Sequence, residues 1–291
     1  MRKIKLIITV FMIVTLSGCS NKVVYQSLWQ PTPLNIGLDN SERLSNLRYD
    51  GKAKMGYGIS NDNQNLYAFL LIDDKDVSRK IMMTGLTFWI DTTGKGKEQL
   101  GVTFPVKFDR NKVNSEDLNN KNRPPSKRKM TKDDIRRFND KYNNGNSDMM
   151  LMGFDGDPEP SMTGNKSIDG VNAILRMDSL ETLYYEAIIP LAMIFKNPSH
   201  WITNPSKNFS FAFESGKLEM PSMGSGGRSG GMQGGGGHGG GGTGGGKPGG
   251  GKPGGSGPDV NMDADQSRTT QEMMRVSKVE VKKAALSNSI K

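Results

Sequence analysis

The sequence predicts an all-β chain folded as an antiparallel β-sandwich, of the jelly-roll or Ig-like kind, with a short helical insertion and a disordered Gly-rich loop. Three observations predict it. Apolar residues, many of them aromatic or β-branched, alternate with polar ones over stretches of about four to eight residues. Turn signals built from Gly, Asn, Asp and Pro separate those stretches. Helical spacing is confined to short pieces, the clearest of them in a polar insertion.

The strands follow in order. Lys54 to Ser60 leads into the turn signal Asn61-Asp62-Asn63, and Asn65 to Ile72 is its hairpin partner. Thr84 to Asp91 is a third strand, closed by Thr92-Thr93-Gly94-Lys95-Gly96. Gln99 to Phe108 returns, with Pro105 marking an edge or a bulge. Asp148 to Phe154, Val171 to Met177 and Thr182 to Ile189 come next, and Phe209 to Glu214 is the cleanest alternation in the chain. Residues 111–146 are the insertion: Pro124-Pro125 breaks it, and Thr131 is an N-cap for a helix carrying Ile135, Phe138 and Tyr142 on one face. A second short helix starts after Pro190. Residues 221–258 are Gly-rich and nearly without apolar side chains, so they cannot bury enough to order themselves. In 259–291, Val279 and Val281 alternate; this segment is either the last strand, rejoining the sheet beside Phe209 to Glu214, or a disordered tail. The sandwich domain is thus expected over 35–220, after a lipidated tether of residues 19–34 stiffened by Pro31 and Pro33.

The start of the chain predicts location. Arg2, Lys3 and Lys5 precede an apolar run from Ile7 to Leu16, and Leu16-Ser17-Gly18-Cys19 resembles the lipobox of bacterial lipoproteins. The resemblance implies removal of residues 1–18 and lipidation of Cys19. Each buried CH₂ of the lipid contributes roughly 0.8 kcal/mol, so two or more chains anchor the protein stably. An ordinary secretory signal with an accidental Cys is the alternative. Ser20 at the second mature position, by resemblance to diderm lipoproteins, implies the outer membrane. The absence of an acidic run after Cys19 favours its periplasmic face over the cell surface.

Composition then narrows the chemistry. Without residues 1–18 the formal charge falls from +9 to +6, and cations alternate with acids except around Arg123 to Lys129, so no nucleic-acid footprint appears. That basic run is a solvated loop or a contact for anionic lipid headgroups. Cys19 is the only cysteine, so its lipidation leaves no thiol for disulfides, zinc or nucleophilic catalysis. Of the two histidines, His238 lies in the glycine tract, which leaves His200 as the one base candidate. No enzyme is expected.

Three places resemble the carbohydrate-binding module family 9-like, or DOMON-like, β-sandwiches of bacterial exported proteins. They are Met55 to Asp62 before Leu66-Tyr67-Ala68-Phe69, Gly85 to Asp91 before Gly101-Val-Thr-Phe-Pro105, and Leu183 to Leu191. Together with the lipobox they give the chain the look of a Bacteroidetes-type envelope lipoprotein. The resemblance implies a sandwich with a glycan face. The insertion and the glycine tract are departures from it, and no pair of facing tryptophans can be placed. DOMON relatives hold haem through Met and His, for which only His200 beside Trp201 is on offer.

The ligand-binding candidates are Trp89, Asp91, Tyr57 and Tyr67. In the strand of Trp89, Leu86, Phe88 and Ile90 share one face, and Thr87, Trp89 and Asp91 share the other. Either Trp89 is a platform for a sugar ring beside a hydrogen-bonding acid, or the inserted helix covers it through Ile135 or Phe138. Trp29, in the tether, and Trp201, in a polar turn, have no positional support. Asp73, Asp74 and Asp76, and likewise Asp155, Asp157 and Glu159, are solvated turn acids or oxygen ligands for calcium, and beyond that alternative no cofactor is expected. Glu186 and Glu214 are the carboxylates available for glycoside hydrolysis, and no spacing brings them together. Two partner classes therefore stand beside the membrane: a glycan, or another envelope protein.

Overall fold

The computed structural model describes residues 24–37, 46–107, 129–154, 156, 159–204, 206–217 and 275–288. The chain divides into two compact units, residues 1–217 with 276–291, and residues 218–275, of which Arg275 alone is described. Cys19, the rest of the leader, the basic run up to Arg128, Asp155, Asp157 and the glycine tract lie outside the described residues.

The first unit runs β1 (Tyr25–Gln26), β2 (Leu28–Trp29), β3 (Arg48–Asp50), β4 (Met55–Asn61), β5 (Asn65–Ile72), α1 (Lys75–Thr84), β6 (Leu86–Asp91), β7 (Leu100–Thr103), α2 (Lys132–Asn143), β8 (Asp148–Met152) and β9 (Ser161–Gly164). It continues with β10 (Asn172–Met177), β11 (Leu183–Pro190), α3 (Leu191–Ile194), α4 (Pro198–Thr203), β12 (Phe209–Ser215) and β13 (Lys278–Ala285). Among the described residues, one sheet has the order β1-β13-β12-β6-β7-β8-β9. The other has the order β10-β11-β5-β4-β2, with β3 also on β4. This is an all-β sandwich. The pairing is antiparallel but for β1 on β13 and β2 on β4, which are parallel.

Alternation builds the core. Leu66, Ala68, Leu70 and Ile72 of β5 face Phe88 and Ile90 of β6 and Phe209, Phe211 and Phe213 of β12 across one apolar interior. Phe211 sits in an aromatic cluster, with ring centroids 5.4 Å from Tyr25, 6.1 Å from Phe88, 6.2 Å from Phe213 and 6.4 Å from Tyr57. β13 completes this wall, pairing Val281 with Phe211 and Val279 with Phe213.

Two departures from the sequence reading matter for the site. Residues 24–30, expected as tether, belong to both sheets. Tyr25 is buried among core rings, so that segment is held by apolar burial and by ladder bonds at once. Residues 31–37 then cross the outer face of β5 and β11: the Leu34 amide donates to the Tyr67 hydroxyl at 3.1 Å, and the Gly37 amide to Glu186 Oε2 at 3.2 Å. The second departure is α1, which the sequence reading leaves out. Asp74 is its N-cap, accepting from the amides of Asp76 and Val77, and Val77, Ile81 and Thr84 turn its buried stripe inwards.

The inserted helix α2 starts at the Thr131 cap, with the reciprocal bond from Asp134 completing a capping box. Its Asn139 side chain brackets Met177 of β10, accepting from the Met177 amide at 2.8 Å and donating to its carbonyl at 3.0 Å. Phe138 and Tyr142 lie 4.8 Å apart, and Tyr142 lies 5.9 Å from Phe104, whose side chain belongs to the core. The helix therefore seals the interior beside β10 instead of covering Trp89, which faces the other way.

Candidate functional site

Each residue expected at a ligand face has a definite place. Tyr67 is fully buried under the 31–37 segment, and its hydroxyl donates to Asp62 Oδ2. Burial and that bond push its pKa up to about 12. It is a structural residue and not a platform, because the segment read as tether folds over it. Tyr57 is half-buried and stacks on Tyr25 at 6.2 Å. Trp89 is half-buried on the outer face of the seven-stranded sheet, its six-membered ring so close to Gly101 that a Cβ there would lie 2.7 Å from Cζ3. The hollow beside it holds only about 10 Å³, less room than a sugar ring needs.

Asp91 cannot serve a ligand either. Its carboxylate is almost wholly buried and accepts from the Thr93 amide and hydroxyl at 2.8 and 2.7 Å, from the Lys95 and Lys97 amides at 2.8 and 2.9 Å, and from the Ser210 hydroxyl at 3.2 Å. Burial alone would raise its pKa; the Thr93, Lys97 and Lys95 donors win and hold it at about 2. The acid pins the β6–β7 turn.

The acids considered for calcium are also committed. Asp74 carries the α1 cap and an ion pair with Lys54 at 3.0 Å. Burial opposes its ionisation, but the Val77 amide and Lys54 outweigh this and lower its pKa. Asp76 pairs with Arg79 at 2.8 Å, and Asp73 stands exposed. Among the described residues no group of three or more His, Cys, Asp and Glu could hold a metal ion. Glu186 and Glu214 lie in opposite sheets, and Glu214 pairs with Lys278 at 2.7 Å. His200 is exposed on α4, and Trp201 stacks on Phe195 at 4.2 Å.

A larger concavity than the hollow beside Trp89 lies elsewhere, along the edge of β4 away from β5. Two short strands share that edge: β3 opposite Met55 to Tyr57, and β2 opposite Ser60 and Asn61. Between them Ile59 has no strand partner on this side, and its amide donates to the Tyr25 hydroxyl at 3.2 Å. The gap opens into a groove of about 700 Å³ whose lining includes Tyr25, Gln26, Trp29, Arg48, Ser60 and Asn288. That volume is within the range of small-molecule sites.

Hydrogen bonds between distant parts of the chain fix one wall of the groove. The Ser287 amide donates to Asn61 Oδ1 and to Ser27 Oγ, both at 2.9 Å, and Asn61 Nδ2 donates to the Ser287 carbonyl at 3.0 Å. Ser27 Oγ donates to Asn61 Oδ1, and Gln26 Nε2 donates to the Leu286 carbonyl at 2.9 Å. With its Nε2 engaged there, Gln26 has Oε1 as its acceptor. Ser60 Oγ, 2% exposed, has no hydrogen-bond partner among the described residues. A hydroxyl buried without a partner is costly, and such groups mark places where water or a ligand completes the bonding. The Arg48 guanidinium lies 4.4 Å from the Tyr25 ring centre. Burial raises the Tyr25 pKa, so its hydroxyl keeps its proton.

Sequence reasoning missed this site because its parts come from residues 24–30, 46–48, 58–60 and 286–288. No motif spans them. The signal available was the apolar and aromatic content of Val23, Val24, Tyr25, Leu28 and Trp29, more than a solvated tether needs.

No protein-family model matches the chain, and no curated protein matches it. Among solved structures it is similar to a carbohydrate binding module family 9 (CBM9) from Caldicellulosiruptor kristjanssonii in complex with glucose, at 7% identity over 65% of this chain and 76% of that one, with a TM-score of 0.31.

Proposed function

We propose that this protein is a non-catalytic carbohydrate-binding module, carried on a lipoprotein of the cell envelope, and that the groove along β4 holds the saccharide. One observation carries the reading: aromatic side chains, amides and the unpartnered Ser60 hydroxyl line a single groove of about 700 Å³. Sugar rings present apolar C–H faces that stack on Trp and Tyr, and hydroxyls that need fixed donors and acceptors. Trp29 supplies the first, and Gln26, Gln30 and Ser60 the second. Lipidation at Cys19 and the periplasmic face of the outer membrane follow the leader sequence. The opposed positions of Glu186 and Glu214 favour binding over hydrolysis.

A glycan array probed with the full-length chain and its Trp29→Ala variant tests this. Binding should be saturable and fall at least about tenfold in the variant, the loss expected for an aromatic anchor. A variant that binds as well as the parent moves the site away from the groove. A folded parent that binds no glycan leaves the assembly role, in which a partner protein docks on an exposed edge such as β9 with Met162 at 54% exposure.

A further inference from the structure

Resting on that reading of the groove, we infer that its ligand is an acidic saccharide, one bearing a carboxylate or an equivalent anionic group on a sugar ring. The argument starts from charge. Among the described residues that line the groove, Arg48 is the only charged side chain and no carboxylate joins it. Among the described residues, the acids nearest in sequence to this lining, Asp50 and Asp62, are spent on turns. Asp50 Oδ1 accepts from the amides of Lys52 and Ala53, both at 2.9 Å. Asp62 Oδ1 accepts from the amides of Gln64 and Asn65, both at 2.7 Å, and its Oδ2 takes the Tyr67 hydroxyl. Among the described residues, none of the ion pairs involves Arg48.

The guanidinium is held in place all the same. It lies against the Tyr25 ring, and Tyr25 is fixed in turn by core packing and by the Ile59 amide. A planar fork of donors, positioned by stacking and with no counter-ion among the described residues, suits a carboxylate better than a neutral hydroxyl. A second point completes the geometry. Arg48 stands opposite Tyr57 on β4 and Trp29 opposite Asn61, four residues further along the same face of the strand, about 13 Å away at the rise of a β-strand. The groove therefore offers two separated contacts: Trp29 for one ring, and Arg48 for the charge on the next. A linked pair of sugars, one of them a uronate, spans both.

The test is a titration of the full-length chain with oligosaccharides containing glucuronate or galacturonate, beside their neutral glucose and galactose counterparts, repeated with Arg48→Gln. The acidic oligosaccharides should bind, with affinity falling as salt rises, and the variant should lose about 10- to 100-fold for them. The thermal midpoint of the variant, measured alongside, should stay with the parent because Arg48 is exposed. Neutral oligosaccharides bound as tightly as acidic ones, or an Arg48→Gln variant that binds acidic ones unchanged, overturns the charge assignment and leaves the carbohydrate reading standing. Binding of neither class overturns both.

Discussion

Phe211→Ala is expected to destabilise the sandwich by about 4 kcal/mol, within the range of large-to-small core substitutions involving an aromatic ring. Phe211 is 2% exposed and neighbours Tyr25, Tyr57, Phe88, Phe209 and Phe213. Those rings come from both sheets, so the vacated space cannot close by a shift of one strand. Tyr25 also reaches the Ile59 amide at the groove, so the same change should loosen the site while the core still holds. Urea unfolding followed by tryptophan fluorescence measures the loss. A change below about 1 kcal/mol would mean that the aromatic cluster repacks freely, against the close packing expected of such a core.

Asp91→Asn is expected to cost about 3 kcal/mol at neutral pH. The amide replaces one acceptor oxygen by a donor, which leaves two or three of the Thr93, Lys95, Lys97 and Ser210 groups facing another donor. The carboxylate also gives the parent a defined acid limb. Its folded pKa, about 2, lies below the ordinary value of 3.8, so the stabilisation is complete above about pH 4. As pH falls through 2 the folded state gains the proton and that stabilisation, about 2 kcal/mol, is lost. In Asp91→Asn the part of the acid limb between pH 4 and 2 should flatten, while the Lys54–Asp74 contribution persists. Unfolding curves at stepped pH test it. An unchanged acid limb in the variant would show that Asp91 is not the group that titrates there.

The strand pattern was legible because burial on one face imposes a period of two. Leu86, Phe88 and Ile90 alternate with Thr87 and Trp89, and Phe209, Phe211 and Phe213 with Ser210 and Ala212; both sets point inwards as that period requires. The Thr131 cap was legible for a similar local reason. Helix α1 was not, because Asp73, Asp74 and Asp76 look like a ligand cluster when counted as acids. The cap at Asp74 emerges only when Val77, Ile81 and Thr84 are read at helical spacing. The site was the least legible part. β1 and β2 are two residues each, too short for any periodicity, and what gives Trp29 meaning is a pairing with Asn61 far along the chain.

The knot of Ser27, Asn61 and Ser287 has a consequence for the order in which the protein becomes competent. Ser27 and Ser287 are 260 positions apart, and the groove exists only once both are in place. As the chain emerges in order, β12 has β6 on one side and an open edge on the other until residues 278–285 arrive to pair with it. Strand β1 waits for the same event, since its partner is β13. The sandwich is thus finished by β13, and the groove is finished in the same step. A chain stopped short of residue 278 lacks both that strand and the Ser287 wall of the groove, so the groove is a marker of completed synthesis and not of local folding alone.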